Sequence, residues 1–283
     1  MSSIPGGIPE VEEFVRKFHK QVKKWHKGVF MQKNDFFDGI MQSPVKIGSQ
    51  SVPFPLFYRD LAYLGLFLLA PLDAVKNILP SKRMHPFRLT PWHCIVTITA
   101  SEYKDSDIGP YNAVSIGVPF ILDRASPILT GILRTPPEVP MIYLLHLPVT
   151  TEIARDTGVE SANFPEFLAD IDLNSDDRWI NCEVDAEGKN ILSLSARKMD
   201  LSPLPRQRVY PMTSHQDRLL RSELIYRESR AGISKKQSDV RLEFGGHPIG
   251  LKLKELNLGR VLQYQYYPAG QAVLSMVSES YSI

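Results

Sequence analysis

Segments with the two-residue period of β-strands follow one another through most of the chain after Pro91, each rich in β-branched or aromatic residues. The predicted strands are 92–99, 112–119, 140–147, 179–184, 191–197, 207–212, 219–227, 262–267 and 272–277. Strands at this density, mostly joined by short turns, favour a mainly antiparallel β (α+β) fold. Its sheet must curl into a barrel or cone to bury one face, and we expect it to enclose a pocket.

Helices are predicted at only three places, near residues 10–26, 72–79 and 150–158. The first has an apolar stripe, with acidic residues in its first turn and lysines in its last. We expect it to dock on its own domain or on a sister subunit, which predicts a homo-oligomer; the alternative is a helix on a membrane surface. Residues 35–55 are predicted to be irregular. The predicted organisation is a helical arm and irregular lead-in over 1–55, followed by one β domain over 56–283.

The charge, the cysteines and the apolar runs of the sequence limit which kinds of partner we expect the protein to bind. The net charge is +2 over 283 residues, which favours neither nucleic acid nor an acidic partner. Cys94 and Cys182 lie far apart and form no metal-binding or disulfide pattern. The N-terminus does not resemble a signal peptide, and the longest apolar run, 61–71, is too short to span a bilayer. We therefore expect a cytoplasmic protein with no metal, cofactor, nucleic acid or membrane partner.

No motif in the chain identifies a reaction by itself. The sequence has no glycine-rich phosphate loop, no HExxH pattern and no GxSxG nucleophile elbow. The histidines are scattered, and His146 in an apolar strand is typical of a structural residue. The remaining indication of function is the order of several less specific motifs along the chain.

Four such motifs occur in the order found in the acetoacetate decarboxylase family. They are Asp73-Ala74 leading to Pro80, the run Gly109-Pro110-Tyr111-Asn112-Ala113-Val114, the run from Gly158 through Glu160 to Phe164-Pro165-Glu166, and Leu242-Glu243-Phe244 with His247-Pro248. Together they cover roughly residues 60–277. The chain thus resembles this family, and the resemblance implies a cone-shaped β fold that binds a keto acid or another small carbonyl compound.

The resemblance also implies a reactive lysine, which the chain lacks at the corresponding place. In the family, an aromatic residue and a proline precede a lysine whose amine forms an imine with the substrate. Here Glu166 follows Phe164 and Pro165, and a carboxylate cannot form an imine. Where family members have a glutamate after the tyrosine, this chain has Ala113, and the preceding strand offers Ile98 rather than an acid. These departures predict that imine-dependent decarboxylation is absent.

Three functions remain open at this point. The protein is a non-catalytic binder of a small carbonyl or apolar ligand, a repurposed lyase, isomerase or hydratase, or a true decarboxylase that uses another residue. For an enzyme, the candidate catalytic residues are Glu166, as general acid or base, and Glu160. The candidate ligand-binding residues are Tyr111, Asn112, Ala113, Phe164 and Ile98. The plain alternative for Glu166 is a carboxylate that faces solvent or pairs with Arg155.

Overall fold

The structure is a computed structural model that describes residues 36–123 and 141–283. The helix predicted near 10–26 lies outside these residues, so its docking and the homo-oligomer stay predictions. The three helices of the described part are α1 (Leu72–Ile78), α2 (Glu152–Ala162) and α3 (Pro248–Glu255). A short 3-10 turn covers Gln237–Asp239. No helix in these ranges is long and apolar enough to cross a membrane.

Nineteen strands account for most of the described chain. They are β1 (Ser43–Ile47), β2 (Gln50–Phe54), β3 (Leu56–Pro71), β4 (Met84–Pro86), β5 (His93–Ser106), β6 (Tyr111–Leu122), β7 (Met141–Val149), β8 (Glu166–Leu168), β9 (Asp170–Ser175), β10 (Trp179–Ala186), β11 (Lys189–Arg197), β12 (Ser202–Leu204), β13 (Gln207–His215), β14 (Arg218–Arg221), β15 (Leu224–Tyr226), β16 (Ser229–Ser234), β17 (Val240–Phe244), β18 (Val261–Leu274) and β19 (Glu279–Ser282).

Seven of these strands close into a barrel in the order β18-β3-β5-β6-β7-β13-β15, because β15 pairs with both β13 and β18. Neighbours in the barrel are antiparallel except β7 and β13, which are parallel. A separate four-stranded sheet, β17-β11-β10-β9, packs on the barrel's outer face. This confirms the predicted class of fold, a mainly antiparallel sheet that curls into a barrel.

Strand β3 is a barrel strand whose two faces are both buried. Its even-numbered residues Leu64, Leu66 and Leu68 pack under the four-stranded sheet. Tyr63, on the other face, donates a hydrogen bond across the barrel to Gln207 Oε1 of β13 (3.2 Å), which identifies the odd-numbered face as the inner one. A strand covered on both faces needs no polar alternation, so its sequence reads as a continuous apolar run. That run, 61–71, was not predicted as a strand.

In two segments, prolines and glycines, which usually interrupt helices and strands, lie within a hairpin or at the start of a helix. Residues 43–54, predicted to be irregular, form the hairpin β1–β2, in which Pro44 lies opposite Pro53 and Gly48 takes a positive φ of 54° in the turn. Proline is tolerated in a two-stranded edge of this kind. Helix α3 begins at Pro248, directly after Gly245, Gly246 and His247, in a stretch whose glycines and proline are typical of a turn. Proline fits the first turn of a helix, and His247 Nδ1 accepts a hydrogen bond from Ile249 N (3.2 Å).

Three further boundaries differ in detail. The helix predicted over 150–158 continues to Ala162, because Asn163 at φ 50° rather than Gly158 provides its left-handed C-terminal cap. The strand predicted over 219–227 is divided into β14 and β15, which both pair with β13 but have different second neighbours, β19 for β14 and β18 for β15. The two strands predicted over 262–277 are the single strand β18, which contains register shifts near Gly270.

Candidate functional site

Three tyrosines meet at the end of the barrel where the hairpin β5–β6 turns, and we call them the tyrosine cluster: Tyr58, Tyr103 and Tyr111. Tyr103 and Tyr111 lie opposite each other in the β5–β6 register, and their ring centroids are 4.6 Å apart. The Tyr58 ring lies 4.4 Å from that of Tyr103. The hydroxyl oxygens of Tyr58 and Tyr111 are 3.1 Å apart, within hydrogen-bonding distance. The cluster is therefore held by both ring contacts and a hydrogen bond.

The tyrosine cluster continues into a second group inside the barrel. Tyr63 stacks on Tyr267 with centroids 4.9 Å apart and lies 5.5 Å from Tyr226. Gln265 Nε2 donates a hydrogen bond to the Tyr63 hydroxyl (2.8 Å), and the Tyr267 hydroxyl donates to the carbonyl of Arg227 (3.0 Å). The hydroxyls of Tyr63 and Tyr267 are thus already engaged by neighbouring residues.

Burial keeps the hydroxyls of the tyrosine cluster neutral. It raises the pKa of Tyr103 to about 12 and the pKa values of Tyr58 and Tyr111 well above the ordinary range. The carboxylate form of Glu166 contributes further to all three increases. Glu166 is therefore within electrostatic reach of every member of the cluster, although it lies on a different strand.

Glu166 opens strand β8, which runs parallel to β7 with Glu166 opposite Leu147. Its Oε2 atom is buried and has no hydrogen-bond partner among the described residues. Burial raises the pKa of the Glu166 carboxyl well above its ordinary value. Because desolvation disfavours the charged form, the group is held as a neutral carboxylic acid over a wider pH range than an exposed glutamate.

Gly158 of α2 provides the room for this carboxyl group. A Cβ atom at position 158 would stand 2.3 Å from Cδ and Oε2 of Glu166 and 2.4 Å from Oε1, so no larger residue fits against the carboxyl where it lies. Helix α2 presents only small buried residues on this side; they are Ala154, Thr157, Gly158, Ser161 and Ala162. Glycine in a helix interior costs about 1 kcal/mol relative to alanine, and here the close approach requires it.

Two of the predicted ligand-binding residues, Phe164 and Ala113, share apolar clusters with a third, Tyr111. Phe164 is buried in the same apolar cluster as Tyr58, with Tyr103 and Tyr111 packed against it. Ala113 is buried against Val149 and Ala154, next to Tyr103 and Tyr111. The structure thus brings Tyr111, Ala113 and Phe164 to the tyrosine cluster.

Of the other two predicted ligand-binding residues, Ile98 lies away from the tyrosine cluster, and Asn112 meets it only at a surface cleft. Ile98 is fully buried between the barrel and the four-stranded sheet, on the face opposite that of Tyr103. Asn112 donates a hydrogen bond to the carbonyl of Ile171 (3.1 Å) in β9. Consecutive strand residues point to opposite faces, so Asn112 cannot share a face with Tyr111 and Ala113. We had expected all of these residues to line one pocket.

Glu160 is also separated from Glu166. It is exposed, and its Oε2 accepts a hydrogen bond from Gly48 N (3.1 Å) in the turn of the β1–β2 hairpin. Arg155, the alternative partner considered for Glu166, pairs with Asp156 at 2.7 Å instead. The geometry therefore gives Glu160 a place in fixing the hairpin to α2, and leaves Glu166 facing inward.

A surface cleft of about 340 Å³ reaches the tyrosine cluster from outside. Its lining consists of Glu102, Tyr103, Lys104, Pro110, Tyr111, Asn112 and Thr150. Two members of the cluster thus form part of a wall that solvent reaches. Within residues 36–123 and 141–283, no group of three or more His, Cys, Asp or Glu residues is arranged to hold a metal ion.

Tyr58, Tyr103 and Gly158 are site residues that the sequence alone did not indicate. A signal for Tyr103 was present, because it flanks the same predicted turn as Tyr111 and has the same strand parity. Tyr58 could be found only once β3 was recognised as a strand. The role of Gly158 depends on how closely α2 approaches β8, and no local pattern in the sequence encodes that distance.

These features define a closed β-barrel with a buried acid and a tyrosine cluster at one end. Residues 42–275 match the family model described as acetoacetate decarboxylase (ADC). Since this match covers most of the chain, the protein belongs to the acetoacetate decarboxylase family. No curated protein sequence matches the chain.

Solved structures with the same fold include acetoacetate decarboxylases. The crystal structure of the enzyme from Legionella pneumophila subsp. pneumophila str. Philadelphia 1 has a TM-score of 0.60 at 14% identity, covering 89% of this chain and 99% of that one. Another acetoacetate decarboxylase structure has a TM-score of 0.56 at 12% identity, covering 81% and 89%. The enduracididine biosynthesis enzyme MppR, complexed with the condensation product of pyruvate and imidazole 4-carboxaldehyde, has a TM-score of 0.55 at 12% identity, covering 77% and 86%. At such low identity, the likeness shows the fold alone.

Proposed function

We propose that this protein binds a small carbonyl compound beside Glu166 and the tyrosine cluster, and holds it by hydrogen bonds rather than through an imine. The observation that carries this proposal is the buried Oε2 of Glu166, which has no partner among the described residues. A buried polar atom without a hydrogen bond is costly, and such atoms are uncommon in folded proteins. A ligand that bonds to this atom would remove the cost.

The chemistry of the surrounding groups suits a carbonyl oxygen. A neutral carboxylic acid has one hydroxyl donor, and each neutral tyrosine has another. A protonated carboxyl beside a tyrosine hydroxyl is a known arrangement for binding a carbonyl or enolate oxygen. The apolar neighbours Phe164, Leu147 and Ala113 would contact the carbon skeleton of the ligand. In a different protein of this fold, MppR, the bound molecule is pyruvate, itself a small carbonyl compound.

Imine formation is not part of this proposal, because it requires a lysine amine at the site. The resemblance to the family puts Glu166 at the lysine position. Every lysine in the described ranges is at least partly exposed. We expect that borohydride treatment with acetoacetate leaves no stable adduct on any lysine of the barrel, as measured by mass spectrometry of peptides. An adduct on a barrel lysine would contradict this expectation and support the true decarboxylase.

A second candidate is catalysis by Glu166 as general acid or base, favoured by the upward shift of its pKa. A carboxyl whose pKa moves towards neutral pH exchanges protons more effectively under those conditions. Enolisation, hydration or cyclisation of a keto compound would use such a group. In enolisation, the carbonyl oxygen accepts a proton while the neighbouring carbon loses one to a base.

Two variants of Glu166 separate binding from catalysis. Glu166→Ala removes the donor and should weaken the binding of methyl acetoacetate about three- to tenfold, the worth of one hydrogen bond. Glu166→Gln keeps a donor of similar shape and should bind near the wild-type level. If the protein also catalyses enolisation, Glu166→Gln should slow deuterium exchange at the ligand's methylene group about 100-fold or more.

Glu243→Gln is the matched control, because Glu243 is exposed on β17 in the four-stranded sheet. Binding can be followed by ligand-observed NMR and exchange by loss of the methylene proton signal. If Glu166→Ala binds the ketone as tightly as Glu243→Gln does, the proposed binding site is wrong. If exchange is equally fast in wild type and Glu166→Gln, the catalytic alternative is wrong.

A further inference from the structure

We infer that the site beside Glu166 takes uncharged carbonyl compounds in preference to keto acids. This inference rests on the proposed function and specifies its class of ligand. It depends on two observations. The first is which charged side chains lie near Glu166 and the tyrosine cluster, and the second is which groups donate hydrogen bonds to the buried carboxylate of Asp107.

Among the described residues, no cation pairs with Glu166, and burial raises the pKa of its carboxyl. The cation that lines the surface cleft, Lys104, lies 3.6 Å from Glu102 Oε2. The carboxylates of Glu166 and Asp107 act on Tyr58, and that of Glu166 acts on Tyr111. Arginines on the neighbouring strands and helix are engaged with acids of their own: Arg59 with Asp107 and Asp105, Arg155 with Asp156, and Arg208 with Glu223.

The surroundings of Asp107 show which hydrogen-bond donors compensate a buried carboxylate in this protein. Its side chain is only 6% exposed. Arg59 Nη2 donates to its Oδ1 (2.5 Å), while Phe57 N (2.8 Å) and Gln42 Nε2 (2.6 Å) donate to its Oδ2. One guanidinium and two amides thus compensate a single negative charge. By contrast, Glu166 Oε2 has no hydrogen-bond partner among the described residues, and burial shifts Glu166 towards its neutral form.

A keto acid bound beside Glu166 would therefore bring an uncompensated carboxylate into a desolvated place. Burying an unpaired charge is far more costly than burying a neutral ester or ketone of similar size. One hydroxyl of the Tyr58–Tyr111 pair donates to the other, which leaves one proton of the pair free for a ligand, and a neutral hydroxyl donor does not compensate a full negative charge. The ligand's carbonyl oxygen needs only one donor, which the Glu166 carboxyl supplies.

The test compares acetoacetate with methyl acetoacetate, which share the same keto group and differ in charge. We expect the wild-type protein to bind the ester about tenfold or more tightly than the acid, measured by ligand-observed NMR with freshly prepared acetoacetate. Glu166→Gln should keep this preference, because we attribute the preference to the lack of a cation paired with the site among the described residues and not to a charge on Glu166.

The outcomes distinguish the inference from the proposed function. If acetoacetate binds as tightly as the ester or more tightly, and Glu166→Ala weakens its binding, the proposed site stands and the preference for uncharged ligands is wrong. If neither compound binds, the proposed function itself is overturned and this inference with it. If the preference disappears in Glu166→Gln, it is caused by the charge of Glu166, and the present explanation is wrong.

Discussion

Replacing Glu166 by glutamine is expected to remove a large part of the protein's loss of stability at rising pH. In the folded protein the pKa of Glu166 is raised, whereas in the unfolded chain it is near the ordinary value of about 4.3. Between these two values the folded state binds more protons than the unfolded state. The free energy of unfolding therefore falls as the pH rises, by up to about 1.4 kcal/mol per pH unit from this one group.

The contribution of Glu166 is fully favourable below the ordinary pKa, where both states carry the proton, and is lost as the pH rises to the folded-state pKa. Glutamine does not titrate, so the difference in free energy of unfolding, variant minus wild type, should increase with pH above about 4.3 and then level off. Urea unfolding of both proteins at several pH values measures this difference. Its absolute size also includes the cost of burying an amide, so the dependence on pH is the quantity to compare.

Glu243→Gln provides the control for this experiment. Glu243 is exposed, and its replacement should give a difference from wild type that changes little with pH. If the Glu166→Gln difference is equally flat, then Glu166 ionises as readily in the folded protein as in the unfolded chain. Its carboxyl would then be solvated, contrary to the structure, and the proposed hydrogen bond to a ligand would lose its physical basis.

The class of fold was predictable because strand periodicity is a local property. Strands such as β10 and β11 have one face towards a core and a sequence that alternates accordingly. Strand β3 was missed because it is covered on both faces and therefore lacks the alternation. Helix α3 was missed because its first residues, Gly246, His247 and Pro248, are equally compatible with a turn until the N-cap geometry is seen.

The site was predictable only in part. The resemblance to the family singled out Glu166, Phe164 and Tyr111, which the structure places close to one another. Ile98 and Asn112 were added to the site from their position in the sequence, without following the alternation of the strands. Asn112 and Ile98 lie on the face of β5 and β6 that meets the four-stranded sheet. The parity of each strand, applied from Tyr111 outward, would have placed both on the face opposite the Tyr111 side chain, although Asn112 still lines the surface cleft beside Tyr111.

No sequence pattern indicates the close contact between Gly158 and the Glu166 carboxyl, and a substitution at Gly158 tests it. We expect Gly158→Ala to displace the Glu166 carboxyl from its buried place. The new Cβ would stand 2.3 Å from Cδ and Oε2, which no structure tolerates, and the carboxyl is the movable end of a flexible side chain. The pKa of Glu166 should then return towards its ordinary value, and the binding of methyl acetoacetate should fall to the level of Glu166→Ala.

Gly158→Ala should change the pH dependence of the free energy of unfolding more than the free energy of unfolding itself. Alanine in a helix interior is favoured over glycine by about 1 kcal/mol, which offsets part of the cost of moving the carboxyl. The decrease in free energy of unfolding with rising pH should become as shallow as in Glu166→Gln. In a Glu166→Ala background, Gly158→Ala meets no carboxyl and should stabilise the protein by up to about 1 kcal/mol.

Gly250→Ala is a control of the opposite kind, since Gly250 also lies in a helix but approaches backbone. Its Cβ would stand 2.6 Å from the carbonyl oxygen of Ile191, which cannot rotate away. We expect a loss of about 1–3 kcal/mol, the usual cost of overpacking, with the pH dependence of wild type unchanged. If Gly158→Ala instead behaves like Gly250→Ala, losing stability while keeping the full pH dependence, then the carboxyl stays buried and the helix moves. Gly158 would then have no part in positioning Glu166 beyond allowing the helix to pack.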